Sequence, residues 1–391
     1  MRKTLVFVAL LAVAVGCSKK RDSAAPGDNY VFEPVRIACA YVPLVEKPDA
    51  KTALLVGDLA KSLTNFLSHA GVACSTTGGG RFDLIVVSCG GMSKASCGKL
   101  CASLADGGVV AWLMDATEVT AEEMLERFRS FDLPSVHLWM PGSDLWALVG
   151  RAAPAKVRLS DMLDVFAREG TFEDLARARC GTLPEMFANY TGTMDDVAPA
   201  FYNFKRDQTM CPELFVTREV PEIAWIDSAD MDEDIRKSVL SEMRSMQVVR
   251  RLAVQGNIAA SEAKDKKGEE QAADLFAKVT MRNPNDLLVL ERLDRLNRNA
   301  RAFLETGKIL QAMKCFETMV LIRPTDAVAV HNFGMCLKKI GKTDLAKHIL
   351  DRAEMLARRA EGLKALPNVT NAVNNAKDKA IEGKGARYLS R

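Results

Sequence analysis

The chain has 391 residues, 48% of them hydrophobic and 26% charged, with 53 basic against 50 acidic side chains and a formal net charge of +3. This composition excludes an intrinsically disordered chain, and the near balance of charge excludes the basic field that a nucleic-acid binder presents. The length accommodates about two or three domains.

At the N-terminus, Arg2 and Lys3 precede the apolar run TLVFVALLAVAV, which reads as an export signal and is too short for a comfortable membrane span. The run ends in AVGC, and Gly16-Cys17 resembles the lipobox of bacterial lipoproteins, although Ala14 stands where Leu is usual. The resemblance implies a leader over residues 1–16, acylation of Cys17, and membrane attachment through that lipid. It places the chain in the cell envelope, with Ser18 favouring the periplasmic face of the outer membrane over the inner one. Residues 17–34 form a polar tether. An odd number of cysteines follows Cys17, and their pairing stays open. Cys97 and Cys101, with Cys89, have no histidine nearby, so small buried thiols fit better than a metal site and no metal is expected.

Residues 35–205 read as a first domain. TALLVGDLAKSLTNFLSHAGVACST gives a strand from Ala53 to Val56, a Gly57-Asp58 turn, an amphipathic helix and a short strand at Val72–Cys74. RFDLIVVSC is a second long strand, SKASCGKLCASL a helix, ADGG a turn, VVAWLMD a strand, and TAEEMLERFRSF a helix capped by Thr120 with Glu123. Strand–helix alternation predicts a parallel sheet covered on both faces, and SVHLWMPGSDLWALVG predicts an antiparallel hairpin at its edge.

The order of these elements resembles the class I methyltransferase fold, specifically the spermidine synthase-like proteins. FDLIVVS matches that family's fourth strand, LADGGVVAW its fifth, the hairpin its terminal hairpin, and TMDDVAPAFYNF a stretch found after the core. The resemblance implies a Rossmann-like α/β domain, and it also identifies what is missing. Where the family carries an acidic base at the end of the fourth strand and a second acid three residues later, this chain has Ser88 and Gly91. The cofactor-binding glycines reduce to Gly57, Ser75 and Thr76 replace the ribose-binding acid, and the third strand with its helix is missing. A positioned base is worth about 100- to 10,000-fold, so no transfer chemistry and no cofactor are expected. Asp58 is the one substitute acid on the ligand side; Asp106 reads as a turn residue and Asp115 as a solvated strand end. Gly78–Gly80 precede a strand instead of a helix, so they read as a bypass of the missing segment, not as a phosphate cradle.

Residues 206–230 read as a connector, 231–362 as helices, and 363–391 as a polar tail. In the pattern Gly307, Ile309, Ala312, Phe316 and Pro324, the first, third and fourth positions recur 34 residues later as Gly341, Ala346 and Leu350, with Ala353 following, a period that resembles the tetratricopeptide repeat. Gly334 and Phe303 fill the small and aromatic positions of first helices. Ala272, Phe276 and Pro284 form an upstream half-match with extra length around ERLDRLNRNA, and KDKKGEE reads as a solvated turn. Such arrays bind a peptide or helix along their first helices, which leaves Arg298, Arg301, His331, Asn332, Lys338 and Lys339 as a basic partner-binding set.

The expected function is therefore a non-catalytic envelope lipoprotein that binds a protein partner through its repeats. Two alternatives stay open: an aminopropyl- or methyltransferase with a rearranged site, and a small-molecule sensor that uses the vestigial crevice.

Overall fold

A computed structural model describes residues 32–88, 94–116, 119–130, 133–153, 156–193, 196–197 and 223–364. The export signal, Cys17, most of the tether, Cys89, Gly91, most of the 206–230 connector and nearly all of the 363–391 tail lie outside them. The chain divides into two compact units, one running to Val254 and including Asn285–Leu288, the other comprising Gln255–Pro284 and the residues from Val289 onward.

The first unit is a mixed α/β fold. It opens with helix α1 (Glu33–Glu46), followed by β1 (Thr52–Gly57), α2 (Ala60–His69), β2 (Ala73–Ser75), β3 (Phe82–Ser88), α3 (Lys94–Cys101), β4 (Leu104–Asp115) and α4 (Ala121–Ser130). After these come β5 (Ser135–Trp139), β6 (Leu145–Arg151), β7 (Val157–Arg158), α5 (Leu159–Ala167), α6 (Glu169–Arg177), α7 (Leu183–Phe187), β8 (Tyr190–Thr193) and β9 (Ile226–Asp227). Seven strands form one sheet in the order β2-β1-β3-β4-β6-β5-β8. The first four are parallel, and β6, β5 and β8 add antiparallel pairings.

Strand alternation sorts the two faces. Leu54, Ile85, Val87, Val110, Trp112, Leu138 and Leu148 form one cluster with Leu100, Cys101 and Met124 from α3 and α4. On the other face α1 packs over β4 and β6, and α2 lies on β1, β2 and β3. Thr120 caps α4 as the sequence predicts: its N–H donates to Glu123 Oε2 at 2.8 Å and its hydroxyl accepts from Glu123 N–H at 3.2 Å.

Several expectations are corrected. The hairpin of β5 and β6 is not the edge of the sheet, because β8 pairs with β5 beyond it. The ADGG segment is a bulge inside β4: Phe82 faces Leu104 and Leu84 already faces Val109, with Gly107 at φ +70° absorbing the extra length. Helix α1 has no polar stripe to betray it, since Ile37 to Glu46 are all buried. Only residues 76–81 carry the chain from β2 on one side of β1 to β3 on the other. A parallel crossover usually takes a dozen or more residues. Here β2 is three residues long and β3 starts lower in register, so a glycine-rich link with open space around Gly78 and Gly79 suffices.

The remaining described elements are helical: α8 (Glu233–Glu262), whose residues to Val254 belong to the first unit, then α9 (Lys266–Arg282), α10 (Leu287–Glu305), α11 (Ile309–Ile322), α12 (Ala327–Lys339) and α13 (Thr343–Lys364). KDKKGEE is not a turn: Asp265 caps α9, accepting from Gly268 N–H at 2.9 Å, and the segment forms its first turns. Helix α11 packs on α9 and α12, and α12 packs on α13.

The same local geometry recurs along these helices. Gly307 (φ +72°) and Gly341 (φ +82°) end α10 and α12, and in each case the next residue donates back to the carbonyl five positions earlier: Lys308 to Phe303 at 2.8 Å and Lys342 to Leu337 at 3.0 Å. Asn283 and Arg323, each before a proline, share φ −131° and end α9 and α11. Asp286 and Asp326 then accept backbone N–H groups at the start of the next helix. The longer spacing of the first proline pair resides in α10, which has 19 residues against 13 in α12.

Candidate functional site

In an open α/β sheet the ligand crevice lies beyond the carboxyl ends of the strands where their order reverses, here between β1 and β3. Gly57 and Ser88 face each other in register at that point. Gly57 has φ +106°, so it turns the chain in a conformation that favours glycine.

Ser88 faces inward toward the loop instead of toward a ligand. Its hydroxyl accepts the N–H of Leu59 at 2.9 Å and donates to the carbonyl of Val56 at 3.4 Å. Leu59 precedes α2, so one backbone N–H just ahead of the helix start, where a dinucleotide fold binds an anion, is engaged by the chain itself. A carboxylate in place of Ser88 would keep the Leu59 bond and meet the Val56 carbonyl as a second acceptor. The serine at the end of FDLIVVS is thus a staple for the β1–α2 loop.

The other crevice candidates are dispersed. Asp58 is exposed, and Asp115 is half-buried at the end of β4. Asp106 pairs with Arg81 at 2.8 Å on the surface, far below the value of a buried pair. The Ser75 hydroxyl closes a local turn with the Thr77 carbonyl at 2.9 Å, and Thr76 is exposed. Among the described residues no group of three or more His, Cys, Asp or Glu side chains is placed to hold a metal ion.

On the helical region, Arg301 on α10 and Lys338 and Lys339 on α12 are exposed. Arg298 is exposed too, but its guanidinium is held by Asp294 at 2.9 Å on the same helix. His331 and Asn332 are half-buried, and burial lowers the pKa of His331, which favours its neutral form. The basic character of this face therefore rests on Arg301, Lys338 and Lys339.

The most ordered polar constellation was not visible as a motif. Ser135, His137 and Trp139 alternate onto one face of β5, and α1 brings Glu46 to the same place, fully buried. Glu46 Oε1 accepts from His137 Nδ1 at 2.7 Å and Trp139 Nε1 at 2.9 Å, while Oε2 accepts from Arg151 at 3.2 Å. The Ser135 hydroxyl lies 2.9 Å from His137 Nε2. Tyr190 and Trp225 close over the imidazole, with ring centroids at 5.8 and 4.9 Å, and Trp225 Nε1 donates to the Tyr190 hydroxyl at 3.2 Å. The Arg151 guanidinium sits 5.5 Å from the centre of the Trp225 ring. The S-x-H-x-W alternation was the available signal; the carboxylate that gives it meaning lies 91 residues earlier.

A second buried cluster ties α1, α2 and α6 together. Asp174 accepts from the Tyr41 hydroxyl at 2.7 Å and Arg177 at 2.8 Å, and lies 2.8 Å from His69 Nδ1. Burial first, and then the Asp174 carboxylate, push the Tyr41 phenol far above its ordinary range. Arg250 in the same unit binds Asp286 at 3.0 Å and the carbonyls of Met140 and Pro141. No helix among the described residues is long and apolar enough to cross a membrane. No protein-family model matches the chain, and no curated protein sequence matches it.

Proposed function

We propose that the protein is a partner-binding scaffold of the cell envelope, with a tetratricopeptide-type helical region and a spermidine synthase-like α/β unit whose transferase crevice is closed. The observation that carries the reading is the recurrence of one turn geometry at Gly307 and Gly341, because stacked repeats leave the exposed faces of successive first helices in line for a ligand. The α/β assignment is supported by strand order. If β3 and β4 are the family's fourth and fifth strands, the sequence β2-β1-β3-β4 is the doubly wound order 3-2-1-4-5 without its third strand. Ser88 supports the closed crevice, since the hydroxyl at the family's acidic position is already engaged by the β1–α2 loop.

Attachment through an acylated Cys17 rests on the leader sequence alone. Substituting Cys17→Ser should release the protein from the membrane fraction or block its processing. The partner-binding reading is tested by combining Arg301→Glu with Lys338→Glu and recovering cross-linked partners from envelopes at low and high salt. The partner should present an acidic segment and be lost from the double variant, with the helical circular dichroism unchanged. Equal recovery at both salt levels would reduce the helices to a structural appendage.

A further inference from the structure

We propose that Ser135, His137 and Glu46 form a nucleophilic serine site, built on the α/β unit away from the closed crevice and independent of the scaffold reading above. The pattern that identifies an activated nucleophile is a hydroxyl within reach of a base that is itself oriented by a third group. Ser135 Oγ lies 2.9 Å from His137 Nε2, and His137 Nδ1 lies 2.7 Å from Glu46 Oε1.

The proton positions follow from the partners. Glu46 is met by three nitrogen donors, from His137, Trp139 and Arg151, an arrangement that suits an ionised carboxylate, which only accepts. His137 therefore carries a hydrogen on Nδ1, and in the neutral imidazole Nε2 then presents a lone pair to the Ser135 O–H. That tautomer is the one a general base requires.

A network that served only to neutralise Glu46 could end at the imidazole. Here it continues outward: Glu46, His137 and Arg151 are buried, whereas Ser135 is half-buried at the start of β5. The half-buried Trp225, whose ring centre lies 4.9 Å from that of His137, is the aromatic surface next to the base. Ser135 is paired with Arg151, which faces Val109 in β4, so it stands level with the N-terminal part of β3. The crevice lies beyond the opposite ends of the parallel strands.

The substrate class is a carboxylic ester with an apolar or aryl group able to rest on Trp225. Ser135 Oγ bonds to the ester carbonyl carbon as the alkoxy C–O bond breaks. His137 Nε2 takes the hydroxyl proton and passes it to the departing alcohol. A water oxygen then attacks the acyl carbon, its proton returning through His137 to Ser135, and the acid is released. Ester and water give acid and alcohol with no other reactant. Ser135 and His137 are the catalytic residues; Glu46 is a positioning residue.

A fluorophosphonate probe on the full chain tests this directly, because phosphonylation forms one Ser Oγ–P bond, expels fluoride and needs the same base. One equivalent should attach to the peptide containing Ser135, and Ser135→Ala should abolish it. Replacing the base, His137→Gln, should slow labelling at least about 100-fold. Glu46→Gln should slow it at least tenfold with the far-ultraviolet circular dichroism unchanged, and Glu46→Asp should restore part of the rate. An unlabelled native protein, label on another residue, or equal labelling of Ser135→Ala would each overturn the proposal.

Discussion

The α/β unit and the helical region place most of their ion pairs differently, although Glu291 on α10 is also buried beside Arg295. The α/β unit buries Glu46, Arg151, Asp174, Arg250 and Asp286 and pairs them across long stretches of chain: 105 residues separate Arg151 from Glu46 and 133 separate Asp174 from Tyr41. The helical region spreads ion pairs such as Asp274–Lys278, Lys266–Glu270 and Glu354–Arg358 along single helices, one turn apart and exposed. Buried pairs punish the loss of one partner severely, because the remaining charge cannot reach water. Exposed one-turn pairs contribute a few tenths of a kcal/mol. The first arrangement fixes side chains in a unique geometry, as nucleophilic chemistry requires. The second leaves a surface whose charges can be changed at little cost to the fold.

The comparison breaks first at Glu46. Replacing it with alanine should cost about 3–5 kcal/mol, since Arg151 loses the buried carboxylate it faces at 3.2 Å and the His137 and Trp139 nitrogens lose their common acceptor. All four tryptophans, Trp112, Trp139, Trp146 and Trp225, belong to the α/β unit, so urea unfolding followed by fluorescence reads that unit alone. Asp274→Ala, followed by circular dichroism, should change stability by no more than about 0.5 kcal/mol. A Glu46→Ala cost below about 1 kcal/mol would mean that the network is incidental to the unit's stability.

Next in size is a pair of glycine substitutions. A Cβ on Gly334 would lie 2.9 Å from Leu350 Cγ and Cδ2 and 3.2 Å from Ile349 Cγ2, so alanine overpacks the contact between α12 and α13. Overpacking costs about 1–3 kcal/mol and outweighs a helix-propensity gain of at most about 1. Gly98 on α3 has nothing within 4 Å of such a Cβ, and Gly98→Ala should stabilise by about 0.5–1 kcal/mol. Equal effects at the two sites would show that Gly334 is not a packing position.

These contrasts also explain what could be read from the sequence. The helical pattern is local: Gly307 and Gly341 end helices wherever they stand, and Ala312 and Ala346 are buried within their own hairpins. Strands β1, β3, β4, β5 and β6 were legible for the same reason, as short apolar runs between turn residues. Helix α1 was not, because Ile37 to Glu46 are buried all round and periodicity needs a wet face. The role of Ser88 depended on the Leu59 backbone, which strand pairing alone brings near. The Glu46–His137–Ser135 chain required both the long-range contact of α1 with the sheet and the register of β5.

The Ser88 staple sets a smaller expectation. Ser88→Ala leaves the Leu59 N–H without its acceptor and should cost about 1 kcal/mol, read by the same fluorescence transition. The native protein should give no saturable heat with S-adenosylmethionine or its decarboxylated form up to about 1 mM, weaker than about −4 kcal/mol. A micromolar constant would reopen the crevice and bring Asp58 forward as its acid.

The smallest effect separates the two regions by pH. Burial lowers the pKa of His331 in the folded helical region below its ordinary 6.5, so the unfolded chain binds more protons there as pH falls. The helices should lose stability as pH drops below about 6.5, down to that lowered value, and His331→Gln should remove that loss. In the α/β unit the corresponding window lies lower. Desolvation alone would raise the Asp83 pKa, but the Lys51 and Thr52 N–H groups, the Thr52 hydroxyl and the Lys47 charge together hold it below its ordinary 3.8. Its contribution is present above 3.8 and is lost only as pH falls further, through the folded value. Thermal melts at pH 7 and pH 5 should therefore lower the helical transition slightly, and more in the native chain than in His331→Gln. An identical pH 5 shift in both proteins would remove His331 from the account of the helical region.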